Sequence, residues 1–235
     1  MGIQLRRANV PRLATVLMIA LLNLQSTGPG ASRVQAATIP DGSAVNVDAL
    51  LDRFQQHYQA TKSFSAKFDQ TMTRPGAPPL RRTGTIYYEK PGKLRWEFAG
   101  PQPETIVSDG KTLYDFDPGL NQVVETPVAQ AFRNQAAAAF LLGAGNVKRD
   151  FKAELLSKSD GVVEIALTPK LGGEKIEAGI ERNTYNIVVL SLADAMGNRT
   201  EFRFSSIKLN PPLPAAQFTF TPPAGADIVK AGNPH

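Results

Sequence analysis

The chain has 235 residues, 42% of them hydrophobic and 20% charged, a balance that suits one medium domain with a sizeable core and excludes a disordered or membrane-embedded composition. Its formal charge of +5 is misleading, because Arg6, Arg7, Arg12 and Arg33 lie in the first 36 residues, which hold no acid, and without these four the remainder carries +1. The basic pI belongs to the leader and gives no ground for nucleic-acid binding. With no cysteine, disulfides, thiolate chemistry and an acylated cysteine anchor are excluded.

Residues 1–36 read as a secretory signal peptide: arginines, an apolar run from Leu13 to Leu22, then a small and polar stretch ending Val34-Gln35-Ala36-Ala37. The run is shorter than the about 20 apolar residues of a membrane span. Cleavage after Ala36 and a place in the periplasm, or secretion, are the expectation. Residues 37–235 then form a single domain with flexible ends.

Past a polar start, Val47, Leu50, Leu51, Phe54 and Tyr58 recur at helical spacing behind Asn46, a suitable N-cap. The spacing predicts an amphipathic helix of about four turns, one that needs a sheet to lie on. Phe64, Ala66 and Phe68 alternate as a first strand, broken by Arg74-Pro-Gly-Ala-Pro-Pro. From Gly84 to Pro118 apolar and polar residues alternate between Pro-Gly, Asp-Gly and Asp-Pro-Gly turns, which predicts an antiparallel meander. Within it Leu94, Trp96 and Phe98 share one face and Lys93, Arg95 and Glu97 the other. Gln122–Thr126 continues as a strand. Pro127–Leu142 is rich in alanine, starts on a proline and ends at Gly143, so it reads as a helical insertion. Further strands are expected at Phe151–Leu156, Val162–Leu167, Ile176–Ile180, Ile187–Leu192, Thr200–Ile207 and Phe218–Thr221, giving ten or eleven in a strongly curved antiparallel sheet or open barrel.

Catalytic chemistry finds little support. Histidine occurs only at His57 and His235, and there is no Gly-x-Ser-x-Gly elbow. Gly110-Lys111-Thr112 resembles the end of a phosphate loop, but Thr105 stands where that loop needs glycine, so it reads as a hairpin turn. Asp115 and Asp117 are two apart on one strand face, as a glycosidase could arrange them, yet Asp117-Pro118-Gly119 is ordinary turn chemistry. Lys90, Lys93 and Arg95 read as a solvated strand face or a basic patch for a partner. What remains is the apolar face, with Tyr114 and Phe116 on a neighbouring strand. If Phe132, Phe140, Leu141 and Leu142 lie over it, they either fill it as core or cover it as a movable lid. Pattern alone favours core.

Four segments in series carry a resemblance: Gly84-x5-Lys90-Pro91-x3-Arg95-Trp96, Ser108-Asp109-Gly110-x2-Leu113-Tyr114-x-Phe116-Asp117-Pro118, Asp194-x2-Gly197-Asn198-x-Thr200 and Phe218-x-Phe220-x-Pro222-Pro223-x-Gly225. In order and spacing they resemble the LolA family of periplasmic outer-membrane lipoprotein carriers. The resemblance implies an unclosed antiparallel β-barrel of about eleven strands covered by a helical lid, and a non-enzymatic protein with no cofactor or metal, working as a monomer. It implies a lipid-binding cavity lined by Leu94, Trp96, Phe98, Ile106, Tyr114 and Phe116, under lid residues Phe132, Phe140, Leu141 and Leu142. The implied partners are triacylated lipoproteins, an inner-membrane ABC transporter that hands them over, and an outer-membrane receptor. Lys90 stands where the family commonly has an Arg that hydrogen-bonds lid carbonyls; it keeps the charge without the planar fork, and is the candidate latch. Leu94 stands where an aromatic residue is frequent. The alternative of another class is a periplasmic lipid- or protein-sensing module of the same fold.

Overall fold

A computed structural model describes residues 46–100, 102–131, 146–159, 161–172, 175–194 and 196–231. Helix α1 (Val47–Ala60) starts where Asn46 accepts a hydrogen bond from the Ala49 N–H at 3.0 Å, as its side-chain carbonyl allows at an N-cap. Strands β1 (Ser63–Arg74), β2 (Ala77–Glu89), β3 (Lys93–Ala99), β4 (Glu104–Asp109), β5 (Thr112–Asp117) and β6 (Gln122–Pro127) follow as one continuous meander. Two single turns of helix follow, α2 (Val128–Ala131) at the start of the expected helical insertion and α3 (Val147–Asp150) after it; Phe132, Phe140, Leu141 and Leu142 lie outside the described residues. Strands β7 (Phe151–Ser159), β8 (Val162–Pro169), β9 (Ile176–Glu181), β10 (Ile187–Ala193), β11 (Arg199–Leu209) and β12 (Asp227–Lys230) complete the chain.

All twelve strands belong to one sheet, ordered β12-β6-β5-β4-β3-β2-β1-β11-β10-β9-β8-β7. Every neighbouring pair is antiparallel except β12 with β6, and the two end strands do not meet, so the sheet is unclosed. One hydrophobic core joins side chains from β1 to β5 with others from β7 to β11 and with Leu50, Leu51 and Phe54 of α1. The two halves of the sheet therefore curve around a shared interior.

Two expectations differ in detail. The break at Arg74-Pro-Gly-Ala-Pro-Pro is only a tight turn at Pro75-Gly76, because an irregularity in pairing between Met72 and Arg74 accommodates Pro78 and Pro79 within β2. Phe218–Thr221 is not a strand. Ala215–Phe218 forms a single 3-10 turn, in a stretch where Pro211, Pro212, Pro214, Pro222 and Pro223 remove the donors a ladder needs. The twelfth strand comes later, at Asp227–Lys230, where it adds to β6 as a short parallel edge.

Candidate functional site

The register of the meander fixes what shares the inner face with Trp96. Directly opposed residues in a ladder point the same way, and Trp96 lies between Ile86 on β2 and Ile106 on β4. Leu94 lies between Tyr88 and Ser108, and Phe98 between Gly84 and Glu104. Leu94, Trp96, Phe98 and Ile106 are all buried in the shared core.

Gly84 makes room for the aromatic centre of this face. A Cβ there would stand 2.0 Å from the Glu97 carbonyl oxygen and 2.5 Å from the Phe68 ring, so the ring occupies the space that a side chain would take. From that seat Phe68 meets Trp96, Phe98 and Phe202 edge-on, with centroids 5.6, 5.2 and 5.8 Å away. Trp96 stacks on Phe98 at 5.6 Å and approaches Phe202 at 5.3 Å. Such offset and edge contacts suit the ring quadrupoles. The result is a continuous four-ring patch from three strands, β1, β3 and β11. Phe68 and Phe202 were not among the expected site residues. The signals were the strand glycine and the alternation of Phe202 with Phe204.

The patch ends in polar groups. Arg82 and Glu104 are buried and paired at 2.7 Å, and the guanidinium lies 3.9 Å over the Phe98 ring. Gln70, 1% exposed, is the ladder partner of Arg82 and of Phe202. Both amide atoms of Gln70, Nε of Arg82, Nε1 of Trp96 and Oε1 of Glu104 are buried without a hydrogen-bond partner among the described residues. Leaving such atoms unpaired costs about 1–3 kcal/mol each.

Helix α1 lies on the same core, and its described polar ties are side-chain contacts. His57 Nε2 is 2.9 Å from Asn186 Oδ1, and the Tyr58 hydroxyl accepts the Ile187 N–H at 3.3 Å. Gln55 Oε1 accepts the Val147 N–H at 2.9 Å, and Lys148 pairs with Asp52 at 2.6 Å. Lys90 Nζ donates to the Tyr58 carbonyl at 2.6 Å. That carbonyl is in the last turn of α1, where a cation is favoured by the unpaired C-terminal carbonyls. Burial lowers the Lys90 pKa. Burial also pushes Tyr58 up to about 12, against a smaller lowering by the Ile187 N–H.

Tyr114 and Phe116 are not with Trp96. Ile106 opposes Asp115, so it is Leu113 and Asp115 that face inward on β5, and Tyr114 and Phe116 face outward. The family resemblance had implied the two aromatics for the cavity, and their own alternation could not correct it, because it defines a pair of faces without saying which is inner. On the outer face Phe220 meets Tyr114 at 5.5 Å and Phe116 at 5.8 Å. Phe218 is buried beside them, and the Gln217 carbonyl accepts from Arg95 at 3.5 Å. Asp117 Oδ1 accepts the Leu120 N–H at 3.0 Å, the turn role read from its sequence. Asp109 Oδ1 accepts the Lys111 and Thr112 N–H groups at 2.7 and 2.8 Å, so Gly110-Lys111-Thr112 closes a hairpin.

The family model described as "Outer membrane lipoprotein carrier protein LolA" matches residues 59–221. An outer-membrane lipoprotein carrier protein from Dechloromonas aromatica (strain RCB) is 37% identical over 76% of this chain and 86% of its own length. One from Cupriavidus pinatubonensis (strain JMP 134 / LMG 1197) is 35% identical over 84% and 93%. A crystal structure of a LolA superfamily protein from Nitrosomonas europaea superposes with a TM-score of 0.41 at 13% identity, over 75% of this chain and 99% of that one. By the extent of the family match and the identity to these carriers, the chain belongs to the LolA family of outer membrane lipoprotein carrier proteins.

Proposed function

We propose that this chain is a periplasmic carrier which holds the acyl chains of triacylated lipoproteins against the inner apolar face, receives them from an inner-membrane ABC transporter and delivers them to an outer-membrane receptor. Family membership supports the task. The single structural observation that supports the place is the four-ring patch of Phe68, Trp96, Phe98 and Phe202, continuous across β1, β3 and β11. Leu94 and Ile106 extend it.

Each buried acyl CH₂ is worth about 0.8 kcal/mol, so one covered chain of about 16 carbons is worth on the order of 12 kcal/mol. Water-soluble transport needs that cover, and delivery needs it reduced. In the described structure the face is already covered, so an incoming chain replaces existing apolar contacts and gains only the difference. No bond is made or broken in this scheme. Lys90 latches the end of α1, and α1 moves to admit cargo.

The test is native mass spectrometry of the mature protein, purified from a periplasmic extract without detergent. Triacylated lipoprotein should copurify with the wild type and be lost from Leu94→Glu, with circular dichroism confirming that the variant is folded. A folded wild type that emerges empty and also refuses a synthetic triacylated lipopeptide would overturn the proposal.

A further inference from the structure

A carrier for acyl chains needs no buried hydrogen-bonding groups, yet this inner face carries four residues that have them. Gln70, Arg82, Trp96 and Glu104 all face inward: Gln70 and Arg82 oppose each other on β1 and β2, Phe98 opposes Glu104, and the Arg82 guanidinium covers the Phe98 ring on which Trp96 stacks. Buried polar groups in folded proteins are nearly always hydrogen-bonded, and exceptions point to a missing partner. Here three donor groups, Gln70 Nε2, Arg82 Nε and Trp96 Nε1, and two acceptors, Gln70 Oε1 and Glu104 Oε1, are buried without a partner among the described residues.

We infer that Gln70, Arg82, Trp96 and Glu104 form a polar seat for the ester and amide carbonyls that join the acyl chains to their lipoprotein. The inference rests on the carrier reading and deepens it. A carbonyl oxygen offers acceptors to the surplus donors, and an N-acyl amide adds one N–H for Glu104 or Gln70. Arg82 and Glu104 already neutralise each other at 2.7 Å, so the seat suits an uncharged dipole better than a free carboxylate, which would meet Glu104. The seat lies at the Phe98 end of β3, whereas Lys90 and the end of α1 lie beyond its Lys93 end. Acyl chains seated by their carbonyls would run from Phe98 past Trp96 to Leu94, about 13 Å along the strand. The seat then fixes direction as well as chemistry, and carbonyl-bearing chains bind more tightly than plain alkyl chains of equal length.

The experiment compares two synthetic lipopeptides that share one peptide, one with two palmitoyl esters on the glyceryl-cysteine and one with two hexadecyl ethers in their place. Binding to the mature protein is followed by the fluorescence of Trp96, the only tryptophan in the chain. The wild type should bind the ester about tenfold more tightly, as expected for one or two net hydrogen bonds. Gln70→Leu, which removes two unpaired atoms and should fold well, should bring the two affinities within about twofold. The double variant Arg82→Met with Glu104→Leu repeats the test if Gln70→Leu is unstable. Equal wild-type affinities, as a water-filled structural cluster requires, would overturn the seat while leaving the carrier intact. So would a preference for the ester that survives in the variants. Binding of neither lipopeptide would overturn the seat and the carrier reading together.

Discussion

The meander presents two apolar faces, and they are covered in different ways. On the outer face, Val107 and Val123 are buried, and Phe218 is buried within segment 210–226, which is tied into the sheet at both ends. Its start is fixed where Asn210 Oδ1 accepts the Lys62 N–H at 2.7 Å, and its end where β12 pairs with β6. On the inner face, the cover includes α1, whose described polar ties are side-chain contacts only: to Asn186 and Ile187 at the start of β10, to Val147 and Lys148 of α3, and from Lys90. A cover paired into the ladder opens only with the sheet, while one held by isolated hydrogen bonds can open locally at lower cost. From this difference we propose that the outer face stays closed and that the inner face is the one whose cover exchanges.

The largest expected effect comes from Gly84, the point where the inner face is most tightly built. Gly84→Ala puts a methyl group against backbone at 2.0 Å and against the Phe68 ring at 2.5 Å, so strand β2 must shift and the four-ring patch must come apart. Overpacking typically costs about 1–3 kcal/mol and occasionally more, and backbone contact places this site at the upper end. Urea unfolding should show a loss of about 3 kcal/mol or more, together with loss of lipopeptide binding. A neutral variant would mean that the glycine is not what seats Phe68.

Phe218→Ala sharpens the contrast from the other side. Removing a buried phenylalanine costs about 3–5 kcal/mol, and Phe218 is 2% exposed. Stability should therefore fall about as far, yet the folded fraction should bind lipopeptide within about twofold of the wild type. A large loss of affinity at equal folded fraction would show that the two faces are coupled.

The unequal legibility of the two faces has a physical basis. Alternation along β3 identified Leu94, Trp96 and Phe98 as one face, whereas Ile106 entered only through the family resemblance, and its pairing with Trp96 puts it on the same face. Tyr114 and Phe116 alternate just as cleanly, but only the pairing of Ile106 with Asp115 shows that they point outward. Register is a relation between strands, and no single strand contains it. The aromatic partners Phe68 and Phe202 are 134 residues apart in sequence, and meet because β1 pairs with β11. That closure was also invisible locally. The start of α1 at Asn46 and the turns at Asp109 and Asp117 were readable, because a cap or turn uses only residues within a few positions. The buried pair of Arg82 and Glu104 reads as surface in the sequence, since charges are usually exposed.

Lys90 tests the cover itself. Its ammonium donates to the Tyr58 carbonyl at 2.6 Å, and a hydrogen bond to a charged group is worth about 1.5–3 kcal/mol, reduced here by partial exposure to about 1 kcal/mol. Lys90→Met keeps the apolar stem and removes the donor. Unfolding free energy should drop by about that amount, while lipopeptide affinity should rise severalfold, because cargo competes with a weaker closed form. A fall in both stability and affinity would show that Lys90 supports the site instead of restraining its cover.

The smallest effect is the dependence of the same contact region on alkali. Burial raises the Tyr58 pKa to about 12, and that of Tyr88 likewise to about 12 against a smaller lowering by the Gly92 backbone. A folded pKa above the ordinary value of about 10 means that the neutral phenol is favoured in the folded state. The associated stability is complete below pH 10 and is lost as pH rises towards about 12. Lys90 acts in the opposite sense, since its lowered pKa lets the folded state release a proton first. A Lys90→Met background removes that opposing contribution. Urea unfolding between pH 8 and about 12 should lose stability with a slope, and Tyr58→Phe should flatten part of it while leaving the Tyr88 contribution. Tyr58 belongs to the cover of the inner face and Tyr88 to its wall, so the two variants separate the helix from the sheet. An unchanged slope in Tyr58→Phe would place the alkaline sensitivity in the sheet, and the helix would then leave the face without first losing its tyrosine.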